Sequence, residues 1–419
     1  MDASAPTARA GDIRVMSLVG FAHATSHFFH LVIPSLFPWL MAEFDLSFTS
    51  AGTLTTVFFV VSGIGQAVAG FVVDRYGAQR TLWTGLALFA LSAVALSLAH
   101  GYSMLFFAAV LAGAGNAVFH PADFTMLNRS VSPARLGHAF SAHGLAGNVG
   151  WAAAPVCMAG IAALAGWRTA ALAAGGLAVV ALSSLVLLRG ILAAPTPAHG
   201  RETAEVLPRD SRFAFLGVSA VWMCFFFFLA STMGLGALQN FGSSVLNHVY
   251  GLPLTAAASA LTTYLLGGAA GIAAGGFLAA RYQAHERVVA VLLITAALMA
   301  LVLATGGIPH AAVAPLMALV GFCTGTATPS RDLLVRKAAM QRFGQRSFGR
   351  IYGFVYSGLD VGLAIAPILF GRFMDRGMFP AVLYGVALFQ ALAVVAALRV
   401  GHARTASAAA LAAQQQSRA

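Results

Sequence analysis

Three histidines near the amino terminus are spaced so that they share one face of a helix. His23, His27 and His30 stand at positions i, i+4 and i+7, which lie on one side of an α-helix. Imidazole titrates near neutral pH, so this stripe indicates a proton relay or a substrate contact. Neutral histidines that donate hydrogen bonds between helices are an equally open interpretation. We expect no metal site, because no carboxylate or cysteine accompanies the stripe on the same helix.

Ionisable residues also occur well inside long apolar segments farther along the chain. The acids there are Asp123, Asp332 and Asp360, and the arginine there is Arg331. Charged groups at bilayer depth are costly and usually face a protein interior or a watery cavity. We therefore single out these four residues as candidates. His120 precedes Asp123 by three positions, so the two are neighbours on one helix face.

Each of these charged residues also has a structural interpretation. Asp123 is either a proton-coupling acid or the partner of a salt bridge with Arg331 or Arg129. Arg331 either holds an anionic substrate or neutralises Asp123 or Asp360. Asp360 lies in a glycine-rich segment, where packing and an interhelical hydrogen bond are favoured over a functional role.

The composition of the chain indicates an all-α membrane protein. Of 419 residues, 59% are hydrophobic and 9% are charged, whereas soluble domains carry about 25% charged residues. A membrane-spanning helix needs about 20 apolar residues, and the sequence contains twelve such segments. The predicted spans are 14–41, 50–73, 81–99, 103–128, 137–164, 168–189, 213–241, 255–280, 288–306, 311–335, 349–373 and 380–399.

The distribution of basic residues predicts the orientation of these spans. Basic residues concentrate on the cytoplasmic side of membrane proteins. With both termini cytoplasmic, only Arg168, Arg372 and Arg376 of the 24 lysines and arginines face outside. We therefore expect a multi-pass protein of the bacterial inner membrane. The net charge of +11 is spread in short clusters, so we expect the lipid bilayer and not nucleic acid as its surroundings.

An internal repeat divides the chain into two halves. Gly70 and the residues after it match Gly276 at an offset of 206, and Pro121 matches Pro329 at an offset of 208. Asn148 and its neighbouring glycines match Asp360 and its neighbours at an offset of 212. Duplicated halves of this kind are common in transporters. We predict two pseudo-symmetric six-helix bundles, residues 1–189 and 213–400, with a cytoplasmic linker at 190–212 and a cytoplasmic tail at 401–419.

One loop carries a more specific pattern. After the second span the chain contains Gly70, Asp74, Arg75, Gly77 and Arg80 at fixed spacing. This pattern resembles the signature loop of the major facilitator superfamily, and the resemblance extends over essentially the whole chain. It implies the major facilitator fold and a secondary active transporter that works by alternating access.

The resemblance also implies a gate on the cytoplasmic side. In that family the loop aspartate, here Asp74, interacts with the start of helix eleven, here near Gly349 and Arg350. A helix amino terminus carries partial positive charge that a carboxylate stabilises. The second copy of the loop has Ala280 in place of the acid, so we expect a one-sided lock.

The fourth span gives a narrower resemblance. Residues 113–121, GAGNAVFHP, together with His23, Pro34 and residues 44–48, resemble the fosmidomycin-resistance branch of the superfamily. That branch exports drugs in exchange for protons. In the superfamily, helices one, four, seven and ten line the cavity. His27, His120, Asp123 and Arg331 are therefore expected to converge on one polar cavity in the inner half.

We therefore predict proton-coupled export of a small organic compound or drug. Proton-coupled uptake of an organic anion or metabolite is the first alternative, and a transport-inactive membrane sensor is the second. The sequence contains no phosphate loop, nucleophile elbow or zinc-binding spacing, so we expect no enzyme and no cofactor. We expect a monomer whose partners are a small-molecule substrate, protons and lipid.

Overall fold

The computed structural model describes residues 4–132, 135–192, 217, 219–282, 284–343 and 348–416. These ranges are almost entirely helical and contain no strand. Twelve of their segments are long and apolar enough to cross a membrane, which confirms the predicted number of spans. The helices in chain order are α1 (Ser4–His30), α2 (Val32–Phe44), α3 (Phe48–Tyr76), α4 (Ala78–Ser97), α5 (Tyr102–Asn116), α6 (Phe119–Ser130), α7 (Leu136–Ala165), α8 (Trp167–Leu187), α9 (Arg189–Leu192), α10 (Ser219–Tyr250), α11 (Leu254–Arg281), α12 (His285–Ala304), α13 (His310–Phe343), α14 (Phe348–Asp375) and α15 (Ala381–Gln416).

The first and fourth spans each consist of two helices. The sequence predicted one continuous helix for the first span and a kink at His120–Pro121 for the fourth. Proline lacks an amide hydrogen and leaves the carbonyl four residues earlier without its helical partner. For Pro34 that carbonyl belongs to His30, where α1 ends, and for Pro121 it belongs to Ala117, between α5 and α6. Both breaks lie close to the candidate histidines.

The seventh span extends beyond its predicted end at residue 241. Helix α10 continues to Tyr250 and stops before Gly251, whose φ of +66° suits a helix carboxyl-terminal glycine. Gln239 and Asn240 lie at the predicted end of this span, where polar side chains would be solvated, but both side chains are buried. The Asn240 amide donates to the Gly236 carbonyl of its own helix, which is compatible with a helix interior.

The two halves meet along two equivalent helix pairs. Helix α3 packs against α14, and α7 packs against α11. In the first pair the Thr56 hydroxyl donates to the Ala364 carbonyl at 2.7 Å, and in the second Thr262 donates to Ala152 at 2.9 Å. Thr262 follows Thr56 by 206 residues, and Ala364 follows Ala152 by 212. These are offsets of the sequence repeat, so the two seams are related by the same pseudo-symmetry.

The predicted domain boundaries fall partly outside the described residues. Residues 193–216, which contain most of the predicted linker, are not described, and the gate residues Gly349 and Arg350 are described only in their backbone. Helix α15 runs on to Gln416 through most of the predicted tail. The division into two halves, a linker and a tail stays a prediction at these boundaries.

Candidate substrate and proton site

A cavity of about 620 Å³ lies between the two halves. Helices α1, α6 and α7 form one wall, and α10, α11, α13 and α14 form much of the other. Most lining side chains are hydrophobic or aromatic. The imidazole and guanidinium groups that line it belong to His23, His27, His120, His143 and Arg331. Three of the four residues expected to converge here line the cavity, and Asp123 does not.

The four imidazoles form a compact cluster on the first-half wall. The ring of His23 stacks on the ring of His143 with centroids 3.5 Å apart, and its centroid is 4.4 Å from that of His27. His120 completes the cluster, 5.3 Å from His23 and 6.1 Å from His143 between ring centroids. The cluster therefore joins three helices, α1, α6 and α7.

Asp123 lies directly behind this cluster and has no exposed surface. Its Oδ2 atom is 3.0 Å from Nε2 of His143 and 3.1 Å from Nδ1 of His23. The contact with His143 has the geometry of a hydrogen bond. Within the described chain the ion-pair partners of Asp123 are these two histidines, and neither Arg331 nor Arg129 is among them. The carboxylate reaches the cavity only through imidazole groups.

Two glycines of α7 allow α1 to approach closely enough to form the cluster. A Cβ atom on Gly147 would lie 2.6 Å from Nδ1 of His27 and 3.1 Å from Nε2 of His23. A Cβ on Gly150 would collide with the carbonyl oxygen of Ala24. Side chains at these positions would push α1 and the histidine stripe away from α7.

His30 belongs to a different network from the rest of the stripe. The indole nitrogen of Trp151 donates to His30 Nδ1 at 3.1 Å. Nδ1 is therefore an acceptor, and a neutral His30 donates from Nε2 to Oδ1 of Asn116 at 3.0 Å. Asn116 also accepts from Ser26 and donates to Ser62. This network supports the ring of Trp151, which lines the cavity and stacks on His27.

The remaining charged candidates lie in the second half. Arg331 lines the cavity, and its guanidinium carbon is 4.5 Å from the centroid of the Phe228 ring. Asp360 is half-buried on α14 between the lining residues Leu359 and Leu363, but it does not line the cavity itself. The side chain of Asp332 lies outside the described part of the structure.

The signature loop joins α3 to α4 as the sequence pattern requires. Gly77 forms the junction with a φ of +86°, a conformation that favours glycine. Arg75 and Arg80 are exposed, and a Cβ on Gly70 would meet no described atom within 4 Å. The side chain of Asp74 lies outside the described residues, so the cytoplasmic lock stays a prediction.

The opposite end of α3 makes a contact between the halves that the sequence did not predict. Asp375, at the end of α14, accepts hydrogen bonds from the backbone amides of Phe48 and Thr49 and from the Thr49 hydroxyl. These amides belong to the first turn of α3, where a carboxylate is stabilised. Phe48 also packs against Phe241 and Phe379 of the second half. The halves are therefore joined on this side of the cavity.

Twelve spans in two repeated halves around a central cavity define the class of two-bundle membrane transporters. The chain belongs to the Major Facilitator Superfamily, which residues 16–342 match. This membership confirms the resemblance noted in the signature loop.

Similarity to individual proteins agrees with this assignment. The chain is 26% identical over 368 residues to the Fosmidomycin resistance protein of Escherichia coli (strain K12), covering 85% of this chain and 86% of that protein. It is 25% identical over 395 residues to the uncharacterized MFS-type transporter YfnC of Bacillus subtilis (strain 168), covering 92% of each. A bacterial homolog of the human lysosomal transporter Spinster, solved in an inward-facing and unoccupied conformation, superposes with a TM-score of 0.72. That match has 14% identity, covers 94% of this chain and 96% of the other, and shows the fold alone.

Proposed function

We propose that this transporter exports a small organic compound in exchange for protons, by alternating access in the bacterial inner membrane. The observation that carries the proposal is Asp123, a fully buried carboxylate that contacts the cavity wall through His23 and His143. An ionised carboxylate is costly to bury without compensation. Gain or loss of a proton by Asp123 therefore changes the free energy of the conformation in which its side chain is buried.

The position of the cavity along the helices supports an inward-facing state when both termini are cytoplasmic. Its lining comes mainly from the first halves of α7 and α10, from α6 in the second half of the fourth span, and from residues 324–331 in the second half of the tenth span. With both termini cytoplasmic, those segments lie in the inner half of the membrane. The contact of Asp375 with α3 then lies on the outer side, where it holds the outer entrance closed.

The direction of transport is supported by the relatives and the lining. One relative is a protein of fosmidomycin resistance, which is consistent with removal of a compound from the cell. Hydrophobic and aromatic side chains such as Phe124, Phe140, Trp151 and Phe227 dominate the cavity, and they suit an organic compound with apolar surface. We take the working unit to be a monomer, since one chain contains both halves of the cavity.

The proposal is tested by flux into proteoliposomes. A thermal-shift screen of drugs and metabolites, with fosmidomycin included, first selects a labelled compound that binds. An exporter that exchanges this compound for protons accumulates it in vesicles with an acidic lumen, because protons leave as the compound enters. Accumulation in vesicles with an alkaline lumen instead would establish symport and contradict export. Binding without any flux would identify the chain as a sensor.

Uptake of an organic anion is the second candidate, favoured by Arg331 in the cavity wall. If Arg331 holds the anionic group, Arg331→Ala should weaken transport of anionic compounds by roughly tenfold or more while neutral compounds are unaffected. Initial rates for one anionic and one neutral compound of similar size measure this. Arg331→Lys is the matched control that keeps the charge. An equal loss for both compounds would show that Arg331 has a structural role.

A further inference from the structure

We propose that His23, His120 and His143, together with Asp123, form a binding site for a divalent transition-metal ion of the zinc type. We expected no metal site from the amino-acid sequence, because no carboxylate or cysteine accompanies the stripe on its own helix. In the fold, α6 supplies Asp123 and His120, and α7 supplies His143. The three histidines offer nitrogens close enough together to ligate one ion, and Asp123 adds a carboxylate oxygen within 3.1 Å of two of them.

The distances between these groups suit a small tetrahedral ion. One nitrogen from each of the three histidines lies within 4.8 Å of the other two. Oδ2 of Asp123 lies 3.0 Å from His143 and 3.1 Å from His23. Zinc with bonds of about 2.0–2.1 Å separates its tetrahedral ligands by about 3.4 Å. The two carboxylate contacts already approach this spacing, and the imidazole nitrogens, which lie within 4.8 Å of one another, would move closer by up to about 1.4 Å on binding.

Several polar atoms of the cluster have no hydrogen-bond partner among the described residues. They include Nδ1 of His120 and Oδ1 of Asp123, and both are buried. Nδ1 of His23 is also buried and makes no hydrogen bond, but it lies 3.1 Å from Oδ2 of Asp123 in the ion-pair contact given above. Buried polar atoms are hydrogen-bonded in the great majority of cases, and each exception calls for a reason. A metal ion binds through lone pairs of this kind. A bound metal therefore gives a reason for buried polar atoms that have no hydrogen-bond partner.

The donor set also selects the kind of ion. Magnesium and calcium prefer oxygen ligands, whereas imidazole nitrogen suits zinc, cobalt, nickel and copper. One carboxylate with three imidazoles therefore favours the second group. All four ligands belong to the first half of the chain, so the site is complete without contributions from α10 to α15.

The experiment measures metal binding to the full chain in detergent, with no affinity tag, substrate or ion gradient. Cobalt(II) is titrated into chelator-treated protein, because tetrahedral Co²⁺ absorbs visible light strongly and octahedral Co²⁺ does so weakly. We expect a tetrahedral spectrum that saturates at one ion per chain and is abolished by one equivalent of Zn²⁺. Millimolar Mg²⁺ should leave the spectrum unchanged.

Variants assign the spectrum to the cluster. His143→Gln and His120→Gln should each weaken Co²⁺ binding by at least about a hundredfold. His248→Gln is the matched control, since His248 is an exposed histidine near the end of α10 that bonds the Ser244 carbonyl and does not line the cavity. If His143→Gln does not remain monodisperse, the comparison with the control uses His120→Gln, since His120 is only half-buried. Absence of the tetrahedral spectrum, or equal weakening by His248→Gln, would overturn the proposal without bearing on transport.

Discussion

A single polar side chain, Asn116, connects several helices of the cavity wall through hydrogen bonds. It connects Ser26 and His30 of α1 to Ser62 of α3, and through His30 it holds the indole of Trp151. Asn116, His30 and Ser26 are all buried. Loss of the amide would leave several of these groups without partners, which costs more than the bond itself contributes.

We therefore expect Asn116→Ala to destabilise the protein by about 1–3 kcal/mol. The measurement is the melting temperature in detergent. Asn128→Ala is the matched control, because Asn128 is exposed and its amide donates to the Phe124 carbonyl of its own helix. The control should change stability by less than about 0.5 kcal/mol. Similar melting temperatures for the two variants would contradict a structural role for the network.

Part of this site was predictable from the sequence, because part of it is local. The spacing of His23, His27 and His30 places their rings on one face, as the ring contacts along α1 show. His143 was missed, since α7 has no histidine three or four residues away from it. Only packing between helices brings His143 to Asp123. The signal available in the sequence was a histidine inside an apolar span, next to Gly144 and near Gly147.

At the scale of helices, glycine sets how closely neighbouring elements pack. Helices α11 and α13 cross so tightly that a Cβ on Gly321 would collide with the Tyr264 carbonyl oxygen, and one on Gly325 with that of Gly268. The same is true between halves, where a Cβ on Gly52 would lie 2.6 Å from the Pro367 carbonyl oxygen. The seam between α3 and α14 is therefore in direct backbone contact.

The contact of Asp375 with the start of α3 yields a prediction about this seam. Asp375→Ala removes a charged acceptor from two amides and a hydroxyl, and hydrogen bonds to charged groups contribute about 1.5–3 kcal/mol when sheltered. Because Asp375 is exposed, we expect a smaller effect, about a threefold to tenfold rise in the outward-open fraction.

Spin labels on the loops beside this entrance report that fraction. After replacement of the native cysteines, labels at His100→Cys and His310→Cys give a distance distribution between the halves by pulsed electron paramagnetic resonance. Arg376→Ala, next to Asp375 and also exposed, is the control and should leave the distribution unchanged. A distribution that Asp375→Ala does not shift would show that the Asp375 contact does not hold the entrance closed.

The helices themselves were largely predictable, and so was the bend at Pro121, but the break near Pro34 was not. Helices α11 and α14 begin and end within a few residues of the predicted spans, because apolar length determines a membrane helix. The break near Pro34 depends on how neighbouring helices accommodate a missing hydrogen bond. The added length of α10 depends on burial of Asn240, which composition alone does not reveal.

In the whole molecule, the two halves are related by pseudo-symmetry but differ in their ionisable residues. Thr56 and Thr262 make equivalent bonds across the two seams, so either seam has the same backbone support. The buried carboxylate and the imidazole cluster occur in the first half, and Arg331 lines the cavity from the second. The proposed mechanism therefore assigns protons to one bundle and contact with substrate charge to the other, while both move around one cavity.

The most direct test of this account compares two kinds of flux for Asp123→Asn in proteoliposomes. Asparagine keeps the shape of the side chain but cannot exchange a proton. We expect accumulation driven by a pH gradient to fall to background, while counterflow of labelled against unlabelled compound at equal pH continues. If Asp123→Asn retains both gradient-driven accumulation and counterflow at wild-type rates, Asp123 does not couple protons to transport.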